Sequence, residues 1–150
     1  MKRFTRRIFS TATLAALATA VLSPLAALGA WTKEYFRRGQ FAAIQAELTG
    51  GQPIYTSDLI HIEAPDSISD GASIRVVVTC DLPDVHSVCL LIKDNPRPLC
   101  CRATFSTFSS PYFGTSVRML RSSVLVALVK TSSGFFTQEK PISVTIGGCD

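Results

Sequence analysis

Ile74-Arg75-Val76-Val77-Val78-Thr79 is the stretch whose reading decides the fold. Ile74, Val76 and Val78 fall on one side of an extended chain and Arg75, Val77 and Thr79 on the other, the period-2 pattern of a strand with one buried face. The same alternation occurs upstream, where Ile60, Ile62 and Ala64 alternate with His61 and Glu63, and downstream in Val88, Leu90 and Ile92. A weaker run follows near Cys100–Phe105, then Gly114–Met119, Val124–Lys130, Phe135–Glu139 and Ile142–Ile146.

Turn chemistry separates these runs: Pro65-Asp66, Asp70-Gly71, Leu82-Pro83-Asp84, Asn95-Pro96-Arg97-Pro98, Ser110-Pro111 and Ser133-Gly134. About seven or eight short strands at this spacing predict a mainly β chain, an antiparallel sandwich of immunoglobulin-like type. The Cys…Trp…Cys hallmark of antibody domains is missing, because the one tryptophan is Trp31. Ahead of the strands, Trp31 to Leu48 is predicted to be a helix, giving an N-terminal helix over about 31–50. Phe41, Ile44 and Leu48 stand at i, i+3 and i+7, and Glu34 is placed to pair with Arg37 or Arg38 one turn on. Gly39 weakens this helix, and Gly50-Gly51 is its expected stop.

The chain carries 15 Lys+Arg against 11 Asp+Glu in 150 residues. That excess belongs to the first thirty residues. Lys2, Arg3, Arg6 and Arg7 lie there and no acid precedes Glu34, so residues 31–150 balance at 11 against 11. A balanced chain without a basic run lacks the electrostatic footprint of a nucleic-acid binder. With 47% apolar and 17% charged residues it is not disordered either. The remaining length suits one ordinary domain.

Residues 1–30 read as an export signal. An apolar stretch from Ile8 to Leu22 follows a cationic head; it is shorter than the roughly 20 residues a bilayer span needs. Ala27-Leu28-Gly29 places small residues where a signal peptidase reads, so cleavage is expected near Gly29 or Ala30. Thr5-Arg6-Arg7-Ile8-Phe9-Ser10 fits the twin-arginine pattern; a general secretory signal that contains two arginines is the alternative. No second stretch of spanning length follows, so the expected location is the periplasm, outside any membrane. Twin-arginine cargo folds before export, usually because it holds a cofactor or travels with a partner. The sequence shows no cofactor motif, which leaves the partner.

Most catalytic constellations are missing. His61 and His86 are the two histidines, and each reads as a strand-face or loop residue. There is no nucleophile elbow, phosphate-binding glycine loop or His-x-x-x-His pair. Asp81 and Asp84 flank Pro83, where turn chemistry alone accounts for acids. Cys80, Cys89, Cys100 and Cys101 do not have zinc-finger or iron–sulfur spacing, and no metal or other cofactor is expected. Their spacing leaves two readings open: a bridge between Cys80 and Cys89 on neighbouring strands, or buried free thiols acting as small apolar residues.

Cys149 differs from the other four. It follows the last predicted strand and Gly147-Gly148, and only Asp150 comes after it. Two glycines resist ordering, so residues 147–150 are expected to form a flexible arm, with Gly147 and Gly148 as its hinge. At about 3.4 Å per residue the arm reaches up to ~14 Å, enough to bring a thiol into a narrow pocket of another protein. Asp150 adds its side-chain carboxylate and the chain terminus beside the thiol. Each charge at about 6 Å in water costs the thiolate roughly 0.7 kcal/mol, so Asp150 is expected to tune Cys149 towards low reactivity.

The run Val144-Thr145-Ile146-Gly147-Gly148-Cys149 resembles the C-terminus of the SoxY family, carriers of the periplasmic sulfur-oxidation system, whose chains end in a strand and Gly-Gly-Cys-Gly-Gly. The resemblance extends to the helix ending in Gly-Gly, to Ile60–Pro65 with Asp70-Gly71, and to Cys80–Pro83. It continues in Lys93–Leu99, Val117-Arg118-Met119, and Val129-Lys130 with the Gly134 turn. This chain departs from the pattern in closing with Asp150 and in its four further cysteines.

The resemblance implies an immunoglobulin-like fold, twin-arginine export and a heterodimer with a small β-rich partner of SoxZ type. It implies that Cys149 holds thiosulfate-derived sulfur as a thiosulfonate adduct while other proteins act on it. Those would be a c-type haem conjugating enzyme, a manganese hydrolase that releases sulfate, and a molybdenum–haem dehydrogenase for the sulfane sulfur. The chain itself would have no catalytic residue. Two other readings stand beside this one: a non-covalent periplasmic adaptor, and a thiol-disulfide oxidoreductase using Cys100-Cys101, which lacks a Cys-x-x-Cys at a helix start.

Overall fold

In the computed structural model, residues 36–69, 73–106 and 109–145 are described. The export segment, Glu34 and the arm residues Gly147, Gly148, Cys149 and Asp150 lie outside them. The elements run α1 (Phe41–Thr49), β1 (Ile54–Thr56), β2 (Ile60–Glu63), β3 (Ser67–Ile68), β4 (Ile74–Cys80), β5 (Val85–Ile92), β6 (Leu99–Thr104), β7 (Tyr112–Val117), β8 (Ser123–Thr131) and β9 (Gly134–Val144).

Two sheets form the sandwich. One has three strands in the order β2-β4-β7; the other has six, β1-β9-β8-β5-β6 with β3 also on β9. The decisive run is β4, and its pattern holds: Ile74, Val76, Val78 and Cys80 are buried while Arg75 is exposed. They meet Val88, Leu90 and Ile92 of β5, and Leu125, Ala127 and Val129 of β8, in the core between the sheets. The alternate residues of those two strands, Cys89, Leu91, Val126 and Leu128, face the other way. With Leu99 and Phe135 they form a second core beneath α1. The centre of the large sheet is thus buried on both faces, and β5 reads as an almost continuous apolar run.

Helix α1 presents the predicted stripe. Ile44 is fully buried in the second core, and Phe41 and Leu48 pack around it. Burying Ile44 alone is worth about 1.5–3 kcal/mol. The helix stops as expected: Gly50 takes the left-handed conformation (φ 63°). The Gly51 N–H then donates to the Ala46 carbonyl (3.0 Å) and the Gly50 N–H to that of Glu47 (3.4 Å). Its start is corrected. Residues 36–40 are not α-helical, Gln40 is extended (φ −77°, ψ 141°), and α1 begins at Phe41. Gly39 instead donates its N–H to the Pro96 carbonyl (3.2 Å), a long-range bond that ties this segment to the β5–β6 turn. Arg37 pairs with Glu47 (2.9 Å), across the helix.

β9 also departs from expectation. The predicted run 135–139 and the start of the run 142–146, as far as Val144, form one strand, Gly134–Val144, in continuous register with β8 from Thr131↔Gly134 to Ser123↔Ile142; Ile146 lies outside the described residues. Pro141 does not interrupt it. It lies between the parts of β9 that pair with β1 (Phe135–Thr137) and β3 (Ser143–Val144), where the far edge has no strand partner and a proline is tolerated. Both of these pairings are parallel, so the sandwich is antiparallel except for two short strands along one edge.

Candidate functional site

The predicted carrier residues Cys149, Gly147, Gly148 and Asp150 lie outside the described residues, but the point from which they extend is well defined. Ile142 is buried in the main core. Beyond it, β9 is held from both sides. The Ser143 N–H donates to the Asp66 carbonyl (2.9 Å), and Thr145 donates to the Ile68 carbonyl through its N–H (2.8 Å) and its hydroxyl (3.0 Å). On the opposite side the Val144 N–H donates to Ser122 Oγ (2.8 Å), and the Ser122 hydroxyl donates to the Val144 carbonyl (3.3 Å). The chain is anchored as far as Thr145.

The other four thiols are free. Cys80 and Cys89 do not sit on neighbouring strands, which corrects the possible bridge. β4 and β5 belong to different sheets. Cys80 faces the main core, while Cys89 points away from it toward α1. Burial pushes the Cys89 thiol up to about 11, against a weaker opposing effect from Arg102, and raises Cys80 as well. Cys100 and Cys101 sit at a β-bulge between β5 and β6. Leu90 pairs with Cys101 and Leu91 with Leu99, which leaves Cys100 as the extra residue. Burial pushes Cys100 up to about 11 and Cys101 up to about 12. Thiol-disulfide exchange needs the opposite, a thiol stabilised as its anion. The Cys100-Cys101 oxidoreductase reading therefore loses its chemical basis.

His61 lies on β2 with Nε2 3.2 Å from Asp81 Oδ2, both groups exposed. His86 Nε2 is 2.9 Å from Ser132 Oγ. Neither pair has a third group completing a catalytic relay among the hydrogen bonds of the described residues. No cluster of three or more His, Cys, Asp or Glu suited to a metal ion occurs among the described residues. No helix among them is long and apolar enough to cross a membrane.

One grouping escaped the sequence. Arg38, Arg97 and Arg118 line a cavity of about 520 Å³ with Asn95, Pro96 and Leu120. They come from three separate loops: the segment before α1, the β5–β6 turn and the β7–β8 turn. In sequence, Asn95-Pro96-Arg97-Pro98 signals only a turn. Gly39 N–H to Pro96 carbonyl (3.2 Å) and Asn95 Nδ2 to the Arg118 carbonyl (2.8 Å) draw the three loops together.

The fold is shared with solved structures. The sulfur carrier protein SoxY from Chlorobium limicola f thiosulfatophilum superposes with a TM-score of 0.67 at 23% identity, covering 71% of this chain and 97% of that one. Superoxide reductase (neelaredoxin) from Ignicoccus hospitalis superposes with a TM-score of 0.54 at 20% identity, covering 61% and 94%. At these identities the likeness is one of fold. No curated protein matches the chain. The family model described as sulfur oxidation protein SoxY matches residues 45–149, from α1 through the main core to the terminal cysteine. With most of its length matched in this way, the chain belongs to the SoxY family.

Proposed function

We propose that this protein is a periplasmic sulfur carrier, with Cys149 as the covalent attachment point. Residues 1–30 are its export signal, 31–146 the carrier domain, and 147–150 an arm hinged at Gly147 and Gly148. The observation that carries this reading is that the family match runs on to Cys149, beyond the last core residue, Ile142. The raised pKa values of the four sandwich thiols support it, because they leave Cys149 as the reactive sulfur.

In the loading step, an S–S bond forms between Cys149 Sγ and the outer sulfur of thiosulfate. The thiol proton and two electrons leave, the electrons to a c-type haem conjugating enzyme. Water then attacks the terminal sulfur at a manganese hydrolase; the S–SO₃ bond breaks, sulfate departs and a persulfide remains on Cys149. A molybdenum–haem dehydrogenase would oxidise that sulfane sulfur. The carrier's part is to hold, present and withdraw the group. Asp150 keeps the unloaded thiol sluggish away from those enzymes.

A β-rich subunit of SoxZ type completes the assembly. The edges of β2, β6 and β7 have no strand partner among the described residues, and such edges are normally covered or protected. Protein purified from its own periplasm should behave as a heterodimer; a monodisperse lone chain there would remove the partner from the proposal. The test of the carrier role is intact mass after incubation with thiosulfate and a conjugating enzyme. A thiosulfonate-sized gain in the parent and none in Cys149→Ser supports it. An unchanged parent, or an equal gain in Cys149→Ser, overturns it.

A further inference from the structure

On the outer face of the large sheet, beside the C-terminal end of α1, four polar side chains line one small cavity of about 160 Å³. They are Ser87 and Cys89 of β5, Arg102 of β6 and Lys130 of β8. The strand register brings them together. Ser87 pairs with Lys130 on one side of β5 and Cys89 with Arg102 on the other, so the two cations reach in from the flanking strands. Leu48 of α1 and Phe135 of β9 supply apolar lining. The Lys130 ammonium stands 5.8 Å from the centre of the Phe135 ring, a contact that holds it in place. Arg102 opposes the rise in the Cys89 pKa, so its charge is felt inside the cavity.

These groups are donors, and their donors are unused. Ser87 is only 4% exposed, yet its hydroxyl makes no hydrogen bond to the described residues. A buried hydroxyl without a partner is destabilising until an acceptor reaches it. Arg102 and Lys130 enter none of the ion pairs of the described residues, and no acid lines the cavity. Glu47, the residue before Leu48, is ion-paired with Arg37 (2.9 Å), and Glu139, on the same face of β9 as Phe135, with Lys93 (2.7 Å). At the end of α1 the Ala46 and Glu47 carbonyls are taken by the Gly51 and Gly50 N–H groups.

A guanidinium, an ammonium, a hydroxyl and a thiol around one space suit an acceptor whose negative charge is spread over several oxygens. The volume exceeds the ~10–15 Å³ that holds a water and falls short of the ~300–1,000 Å³ of pockets for larger ligands. We propose that the Ser87–Cys89–Arg102–Lys130 cavity is a non-covalent binding site for a small inorganic oxyanion, a tetrahedral dianion of the sulfate type. The chain's own C-terminal carboxylates are not its occupant. From Phe135 to Thr145 the chain runs ~34 Å along β9 at about 3.4 Å per residue, whereas Ile146–Asp150 extends by up to ~17 Å. Bound there, the ion joins β6 to β8 across β5 and meets Leu48, which clamps the end of α1 onto the sheet. The site stands apart from Cys149 and does not rest on the carrier reading.

The test is a ¹H–¹⁵N NMR titration of the exported protein in buffer free of sulfate and phosphate, following the Leu48, Ser87 and Cys89 amides. Sodium sulfate, thiosulfate, phosphate and glutamate are added in separate series, with ionic strength held constant by NaCl. Sulfate stabilises folds in general through its exclusion from their surfaces, so the readout is local, saturable shift and not melting temperature. The tetrahedral anions should shift these amides to saturation, and the order of their midpoints assigns the site to sulfur oxyanions or to phosphate. A unit charge about 4 Å from a dianion in water, with salt screening, alters affinity roughly ten- to thirty-fold. That weakening is expected in Arg102→Gln and in Lys130→Gln, both exposed positions where substitution spares the core. Cys149→Ser should keep the parent's midpoint, whatever becomes of its loading. Shifts that grow linearly and spread over the whole chain overturn the site, as do midpoints unchanged in both glutamine variants or a response lost in Cys149→Ser. Glutamate binding as tightly as sulfate overturns it too, because the cavity then takes a carboxylate side chain of another protein.

Discussion

Iodoacetamide at mildly alkaline pH should modify the native protein at one thiol among five. The thiolate is the reacting species. With Cys89 and Cys100 pushed up to about 11, roughly 3 in 10⁴ of each is ionised at pH ~7.5, whereas an unperturbed thiol near ~8.5 is about 9% ionised. That is a ratio of about 300 in favour of Cys149 if its thiol is unperturbed, and smaller by whatever the Asp150 charges add. A more basic thiolate is intrinsically the better nucleophile, with a Brønsted slope of about 0.4–0.5, which returns a factor of about 10–18 over the 2.5 units of difference. A net preference of roughly 20-fold remains from ionisation alone. Access then widens it, because Cys80 and Cys89 are only 4% and 5% exposed. Cys101, pushed up to about 12, is further disfavoured.

The assay is a time course of intact mass with peptide mapping, run on the parent and on Cys149→Ser. One adduct should form promptly in the parent, at Cys149. The variant should acquire its first adduct at least ten times more slowly. In guanidinium chloride all five thiols should react together, showing that burial and not sequence protects four of them. Comparable labelling rates in the native parent and native variant would refute the burial argument.

Three further outcomes are expected. Ile44→Ala should cost about 2–5 kcal/mol by denaturant melt, because the helix rests on the large sheet through that fully buried side chain. Stability should decline with alkali. The sandwich thiols have folded-state values raised above 9.0, so the unfolded chain sheds those protons first; the full contribution is present below about pH 9 and is lost as pH rises through about 11–12, with Cys89 contributing roughly 2–3 kcal/mol. Urea midpoints between pH 8 and 10.5 measure that slope, which Cys89→Ala should flatten. Deleting Gly147 and Gly148 should leave the melting temperature within about a degree while shortening reach by ~7 Å and depressing enzymatic loading; unchanged loading would remove the hinge from the mechanism.

The parts of the fold legible in the sequence are those with local periodicity. β4, β5 and β8 announce themselves because each buries alternate residues in the main core, and the Phe41–Ile44–Leu48 stripe identifies the helix face. β1 and β3 were not legible. At three and two residues they carry no period, and they exist through pairing with β9, roughly eighty residues away in sequence. Pro141 reads as a break and is none, because the edge it occupies asks for no hydrogen bond there. The helix start depended on a carbonyl at Pro96 that no local reading can place beside Gly39. At the site, the Gly-Gly-Cys tail was plain as a motif. The arginine cavity was not, since its three cations are 59 and 21 residues apart and converge only through loop-to-loop hydrogen bonds.

These two kinds of feature bear on one another at Thr145. A carrier needs a thiol free to travel, yet its travel must begin from a fixed point if it is to reach a channel of fixed depth. The weak elements supply that point. β3 has two residues and would not persist alone, but its Ile68 carbonyl takes two hydrogen bonds from Thr145. Ser122, in a turn, fastens Val144 from the opposite side. Each such bond is worth only about 0.5–1.5 kcal/mol, but together they oppose fraying of the strand's last turn of pleat. Losing the anchorage of two residues would lengthen the arm by about 7 Å, as much as deleting both glycines would shorten it. The short parallel strand that sequence periodicity does not detect thus fixes the point from which the proposed arm begins.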